Sequence, residues 1–308
     1  MTQGRLGAVA LVLGGAFSLN FGSAVAAGLF PMVGPIGAVT LRLAIAAVLM
    51  LVILRPRVRG YSRADWAVAV AFGVVLGSLN MTFYEALSRI PLGATVTLEV
   101  LGPLALSIIT GRRADSWLWA GLALAGVALL GRGGMHDLNL PGVLFALVAG
   151  TCWAFYILLS QRAGSRFPKV DGLAFAMTFA ALISLPLGIA SAGSALLEPR
   201  VLGIGAAVAL LSSAIPYSLE LLALRTLSST IFGVLMSLAP AVAATAGFLI
   251  LDQRLNPIEL VAIGLVVIAS AGVVFSRSTG DGPDKGVDGR SRLDRPQDLA
   301  GIENAQAG

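Results

Sequence analysis

Four charged side chains stand inside stretches that are otherwise apolar: Arg42 in LRLAIAAVLM, Glu85 in NMTFYEAL, Glu99 in TVTLEVLGPLALSI and Glu220 in AIPYSLELLAL. A charge at the centre of a bilayer costs roughly 3 kcal/mol even on mild insertion scales, so each is expected to face a cavity or a partner. A carboxylate in such a place can accept the ammonium group of a small cation, and it can bind a proton instead. Glu99 is the leading candidate for both tasks. The competing reading is structural, with Glu99 paired to Arg42 so that two helices are tied together. Arg42 can alternatively meet a substrate carboxylate. Glu85 lies near enough to an interface for its side chain to reach water. Glu220 stands four residues after Pro216 and can face either the cavity or the cytoplasmic end of its helix.

Neutral hydrogen-bonding groups in the same stretches are Asn20, Asn80, Tyr84, Thr95, Thr97 and Tyr217, each of which can equally serve as helix-to-helix glue. Trp153 is deep enough in its stretch to be packing or cavity lining. Three prolines add backbone chemistry. Proline has no N–H, so the carbonyl four residues earlier loses its helical donor. Pro103 thereby frees the carbonyl of Glu99, Pro216 that of Ser212 and Pro240 that of Met236. Such backbone is tolerated at membrane depth only where it lines a cavity or is packed in protein.

The elements that position these residues follow from composition. With 57% hydrophobic residues, 12% charged and a mean hydropathy of +0.89, the chain's solvent over most of its length is hydrocarbon. A bilayer core needs roughly 20 apolar residues per helix. Runs of that kind predict ten transmembrane helices at 6–28, 34–54, 66–87, 92–111, 116–134, 140–160, 171–192, 201–223, 230–250 and 257–276. The first contains Ala24-Val25-Ala26, which resembles a signal-peptidase site, but the run is too long for an ordinary signal peptide and is expected to stay as a span. From Arg277 to Gly308, Gly, Asp and Arg replace the apolar pattern, which predicts a disordered cytoplasmic tail.

The net charge of +5 sits in loops, where it reports orientation and not nucleic-acid binding. Arg5, Arg55, Arg57, Arg59, Arg63, Arg112, Arg113, Arg162, Arg166, Lys169, Arg225 and Arg277 fall on one side, against Arg89, Arg132, Arg200 and Arg254 on the other. Twelve against four places both termini in the cytoplasm. Cys152 is the single cysteine, excluding an intrachain disulfide and a cysteine metal cluster, and His136, the single histidine, reads as a solvated loop residue. No metal or other cofactor is expected. Gly73 and Gly77 form a GxxxG packing motif, and Trp66, Trp117 and Trp119 read as interface anchors.

Displacing the chain by 137 residues lays EALSRIPLGATVTLEVLGP (85–103) on LALRTLSSTIFGVLMSLAP (222–240), matching Ala86 with Ala223, Leu98 with Leu235 and Pro103 with Pro240. The halves are residues 1–137 and 138–276, with five spans each. Five is odd, so the second copy must begin on the opposite face of the membrane. Inverted repeats of this kind build alternating-access transporters with a site near mid-membrane.

PLGATVTLEVLGPLA (91–105), SSAIPYSLELLAL (212–224), GVLMSLAPAVAA (233–244) and LNPIEL (255–260) together resemble the threonine and homoserine exporter group of the drug/metabolite transporter superfamily, with its two EamA-type repeats. The resemblance covers residues 5–276. It implies a ten-helix exporter in the cytoplasmic membrane, driven by proton exchange. Two departures bear on substrate: Ala239 where relatives often carry a glutamate before the proline, and Asp252-Gln253 where they carry Gly-Glu. The resulting expectation is a proton-coupled exporter of an amino acid such as threonine or homoserine, with another metabolite or a cationic drug as the alternative substrate. An intramembrane enzyme is disfavoured, since the spans hold no His-Glu zinc motif, paired aspartates or Ser-His set.

Overall fold

The computed structural model describes residues 2–111, 115–132, 139–168, 171–216, 219, 223 and 235–280, and every regular element among them is helical. In order these are α1 (Thr2–Ala27), α2 (Phe30–Leu54), α3 (Arg63–Leu87), α4 (Leu92–Glu99), α5 (Leu101–Gly111), α6 (Asp115–Arg132), α7 (Leu140–Arg166), α8 (Asp171–Ala192), α9 (Pro199–Ala209), α10 (Ala239–Leu251) and α11 (Pro257–Gly280). A 3-10 turn, Gly193–Leu197, follows α8, and a π turn, Leu210–Ala214, follows α9. Among the described residues six segments are long and apolar enough to cross a membrane: Leu6–Ala27, Phe30–Leu54, Arg63–Leu87, Leu140–Arg166, Asp171–Leu197 and Pro257–Val274. Shorter apolar helices cover Leu92–Leu106, Trp117–Leu129, Pro199–Ser213 and Ala239–Leu251. Side chains such as Val48, Val52, Ile189 and Leu249 point outward with more than half their surface open. A water-soluble monomer rarely presents so much apolar surface, whereas hydrocarbon accepts it.

Several boundaries differ from the sequence reading, each for a local reason. α2 begins at Phe30 and not at 34, because the helix passes through a kink at Gly34 (φ 69°) ahead of Pro35. Only a residue without Cβ adopts that φ readily. The expected 92–111 span is two helices, α4 and α5, parted at Val100. Amides on either side stay paired, Val100 to Val96 and Leu104 to Val100, and Pro103 accounts for the missing bond between them. Ahead of α10 the chain turns at Ser237-Leu238, with Pro240 in the first helical turn, so this break precedes its proline by the same interval. α11 continues to Gly280, past the expected start of the tail at Arg277. The rest of that tail, His136, Arg112, Arg113, Lys169, Arg225, and the part of the expected ninth span before Leu235 lie outside the described residues.

α2 packs along α8, α3 along α7 and α8, and α6 along α11, while α1 packs on α10 and the π turn and α4 on α7 and α10. Glycines set the closest approaches. A Cβ on Gly73 would stand 2.8 Å from the Ala176 carbonyl oxygen, so the GxxxG of α3 is a seat for α8. A Cβ on Gly150 of α7 would stand 2.5 Å from the Glu99 carbonyl oxygen, and one on Gly102 would run into the Gly150 carbonyl. The carbonyl freed by Pro103 is therefore covered by α7 backbone.

Capping explains two of the motifs. Ser62 and Asp65 form a reciprocal capping box at the start of α3, and Asn256 and Glu259 do the same for α11, with Pro257 in its first turn. LNPIEL is thus a helix start. Arg166 reaches Asp65 at 2.9 Å, and Tyr61 stacks near Phe167 (4.7 Å between rings) and Trp66 near Phe175 (4.9 Å). The α2–α3 connection and the end of α7 therefore share one side of the bundle. Trp66 serves this cluster and Trp119 lies on Gly272 of α11, leaving Trp117 as the exposed one of the three expected anchors.

Candidate functional site

A cavity of about 480 Å³ opens in the bundle, bounded by α1 to α5, α7, the turn before α10, and α11. That volume lies in the lower half of the roughly 300 to 1,000 Å³ usual for small-molecule sites. Of the residues singled out from sequence, Glu99, Arg42, Asn20, Asn80, Trp153 and Pro103 line it together.

Glu99 closes α4 at the break, so its side chain leaves the last helical turn where the backbone bends. It is partly buried, and among the described residues no hydrogen-bond or ion partner meets its carboxylate. The expected ion pair with Arg42 is not formed. Arg42, 7% exposed, instead donates from Nη2 to the Ser212 carbonyl at 3.1 Å and from Nη1 to the Tyr84 hydroxyl at 3.5 Å, with its guanidinium 5.7 Å from the Tyr84 ring. The reason is the acceptor that Pro216 creates: the Ser212 carbonyl has no amide four residues on, and Arg42 fills the vacancy. Arg42 and Glu99 both line the cavity without touching.

Asn20 and Asn80 are buried, and each amide nitrogen donates to the carbonyl one turn back, Ala16 and Leu76, at 2.8 Å. A carbonyl accepts only from the NH₂ end, so each offers the cavity its oxygen and second N–H. Tyr84 is fully buried behind the wall and acts through Arg42. Thr95 and Thr97 spend their hydroxyls on the carbonyls of Pro91 and Gly93 and do not reach the cavity.

Glu85 is not brought to the site. It pairs with Arg89 one turn on, and Arg89 in turn lies 4.9 Å from the centre of the Phe145 ring. An i, i+4 partner was readable in the sequence as EALSR, and it satisfies Glu85 without snorkelling. Pro216 is buried beyond the π turn and Pro240 lies behind the wall, whose α10 surface is Ala239. Glu220 and Tyr217 lie outside the described residues.

Sequence reasoning missed Ser270 of α11, which lines the cavity with a buried hydroxyl that has no partner among the described residues, and the Nε of Arg42, which is equally without one. Tyr156 and Ser237 also line it. A serine in VVIASAGVV carries no charge and breaks no pattern, so nothing in the sequence flagged it. Met236 and Ser237 correspond to Glu99 and Val100 at the 137-residue offset expected from sequence, and all four line the cavity. Asp252 adopts φ 53°, a conformation glycine prefers and Asp tolerates. Gln253 accepts the Leu92 amide at 2.9 Å and so caps α4. Asp252-Gln253 can thus occupy the backbone of a Gly-Glu pair.

Arranged this way, the cavity offers a negative group, a positive group and neutral donors and acceptors within one small volume, the complement of a zwitterion. Comparison with known proteins agrees with a transporter. The description EamA-like transporter family fits residues 140–275. Threonine/homoserine exporter RhtA of Escherichia coli (strain K12) is 40% identical over 258 residues, covering 83% of this chain and 87% of that protein. Its namesake in Salmonella typhimurium (strain LT2) is 38% identical over 257 residues, with the same coverage. Uncharacterized transporter YwfM of Bacillus subtilis (strain 168) is 27% identical over 222 residues, 67% of this chain and 75% of that one. A solved crystal structure shares the fold at a TM-score of 0.54 and 19% identity, over 91% of this chain and 99% of the other.

Proposed function

The chain belongs to the EamA-like transporter family, and on that premise we propose that it exports a small amino acid, threonine or homoserine, across the cytoplasmic membrane in exchange for protons. It is a multi-pass membrane transporter and not an enzyme. The observation that carries the substrate reading is Glu99, a cavity carboxylate without a hydrogen-bond or ion partner among the described residues, with Arg42 lining the same cavity. The names of the relatives at 38–40% identity support the same substrates.

In the proposed cycle the substrate ammonium and a proton occupy Glu99 in turn. Toward the cytoplasm Glu99 is ionised and takes the ammonium, while Arg42 and the Asn20 and Asn80 amides take the remaining polar groups. Toward the outside a proton claims the carboxylate and the substrate leaves. The protonated carrier then returns. Two half-sites opening alternately require two packings of similar energy, which ten spans in two inverted repeats (1–137 and 138–276) supply. The packing is consistent with that symmetry: exchanging the halves turns α5 on α7 into α10 on α1, and leaves α2 on α8 and α6 on α11 unchanged. Both termini are assigned to the cytoplasm from the charge bias.

The test is flux. Purified protein in sealed vesicles should move labelled threonine or homoserine against its gradient when a pH gradient is imposed, leaving it chemically unaltered. Absence of movement for either amino acid, with protein correctly inserted, overturns the substrate assignment.

A further inference from the structure

The π turn Leu210–Ala214 lies against α1 and α2, and side chains from both hold its carbonyls. Ser18 of α1 donates to the Leu211 oxygen at 2.7 Å and Arg42 of α2 to the Ser212 oxygen at 3.1 Å. Contact is close here: a Cβ on Gly22 would stand 2.9 Å from that of Leu211. Yet the region is under-satisfied. Among the described residues Arg42 Nε and the hydroxyls of Ser212 and Ser213 have no partner, although all three are buried. Arg42 therefore spends one good hydrogen bond on a neutral carbonyl, has a long one to Tyr84, and keeps an idle N–H while lining the cavity.

A carboxylate outcompetes a carbonyl for that guanidinium, because charge-assisted bidentate bonds are roughly twice as strong as bonds to neutral acceptors. We propose that the carboxylate of the substrate draws Arg42 off the Ser212 carbonyl, so that filling the cavity releases the π turn at the end of α9. This rests on reading the cavity as an amino-acid site and adds what that reading lacks, a link from occupancy to a backbone element that can repack. Arg42 is then a specificity-determining residue of a particular kind. A ligand with an ammonium but no carboxylate occupies Glu99 and leaves the turn locked. π turns of this sort are interconvertible with ordinary helix by a shift of one hydrogen bond per residue, which suits a moving element.

The test compares L-threonine with threoninol, the amino alcohol that keeps the ammonium and hydroxyl and lacks the carboxylate, on the full-length protein in detergent. Pro216→Ala gives the Ser212 carbonyl an amide of its own and sets Arg42 free. Its expected effect is to tighten L-threonine binding roughly tenfold or more, the size of one hydrogen bond to a charged group, without changing threoninol binding. Ser18→Ala, which removes the neighbouring bond to Leu211, should leave the ratio of the two affinities as it was. Equal shifts for both ligands, or none, overturn the exchange while leaving the amino-acid site intact. Binding of neither ligand to the unmodified protein would overturn both readings.

Hydrogen exchange on the unmodified protein needs no variant to fold: L-threonine should speed exchange of the amides around the π turn, Ile215 included, and threoninol should not. A ligand-free cycle decides the link itself. Arg42→Gln should lower thermal stability less in the Pro216→Ala background than alone, and additive effects would show that Arg42 does not hold Ser212.

Discussion

Replacing Glu99 with glutamine separates the two roles a buried carboxylate can have. Had Glu99 been the partner of Arg42, its neutralisation would strand a buried guanidinium and lower stability by about 3 to 5 kcal/mol. Arg42 is held instead by Ser212 and Tyr84, and the Glu99 carboxylate has no ion partner among the described residues. Glu99→Gln should therefore change stability by less than about 1 kcal/mol, the range of substitutions that break no network. Binding should weaken, since a neutral acceptor replaces a charged one. A hydrogen bond to a charged group is worth roughly 1.5 to 3 kcal/mol, so the loss in threonine affinity should be about tenfold to a hundredfold. Transport should change in kind. An amide cannot exchange a proton, so pH-driven accumulation in vesicles should vanish while exchange of internal for external threonine persists at raised concentration. Glu85→Gln, which disturbs only the Arg89 pair outside the cavity, should retain pH-driven accumulation. Full pH-driven export by well-expressed Glu99→Gln would refute the proton role and direct attention to Glu220. A large loss of stability rescued by adding Arg42→Gln would refute the unpaired geometry.

Other expectations follow from the same structure. In a Cys152-free background, cysteine at 59 should label only from the cytoplasmic side and cysteine at 136 only from outside; position 60 is avoided because Gly60 has φ 101°. The reverse pattern would invert the assigned orientation. Gly150→Ala should cost roughly 1 to 3 kcal/mol, the scale of overpacking, because its Cβ would meet Glu99 backbone that cannot swing aside. Gly164→Ala in the same helix has open space and should be neutral or stabilising, by thermal melt. Truncation after Gly280, where α11 ends, should leave flux and expression intact, and loss of flux at normal expression would give residues 281–308 a function.

What was readable beforehand depended on whether a residue violates its surroundings. Glu99 and Arg42 are conspicuous because charge in an apolar run has few explanations, and both line the cavity. Prolines were equally legible: the bond pattern they forbid is local, and the breaks at Val100 and at Ser237-Leu238 fall where Pro103 and Pro240 require. Partners were not. Whether Arg42 meets Glu99 or the Ser212 carbonyl depends on how α2 lies against α9, which no local pattern encodes. Ser270 was invisible because a serine in a membrane helix usually bonds its own backbone. The GxxxG of α3 was read correctly as packing, whereas the more consequential glycine contact, Gly102 against Gly150, joins residues on different helices and has no sequence signature.

The two breaks carry different chemistry, and the difference bears on coupling. Glu99 and Met236 stand 137 residues apart, at equivalent places of the proposed repeat, and both line the cavity, yet only one is ionisable. Arg42, Asn20 and Asn80 also come from the first half, while the second supplies Trp153, Tyr156, Met236, Ser237, Ala239 and Ser270. In the proposed carrier, the proposed inverted repeat would supply the two packings. Asymmetric side chains give it, among the described residues, a single cavity carboxylate for two cations. A cavity with a second carboxylate at 236 could hold the ammonium and a proton together, and movement of one would no longer demand release of the other. With Glu99 as the shared acceptor of the proposed cycle the two compete for the same oxygens, so the substrate leaves when the proton arrives and the proton leaves when the substrate arrives. In the proposed cycle exchange follows from that shared acceptor, and Met236 contributes by being unable to accept either cation.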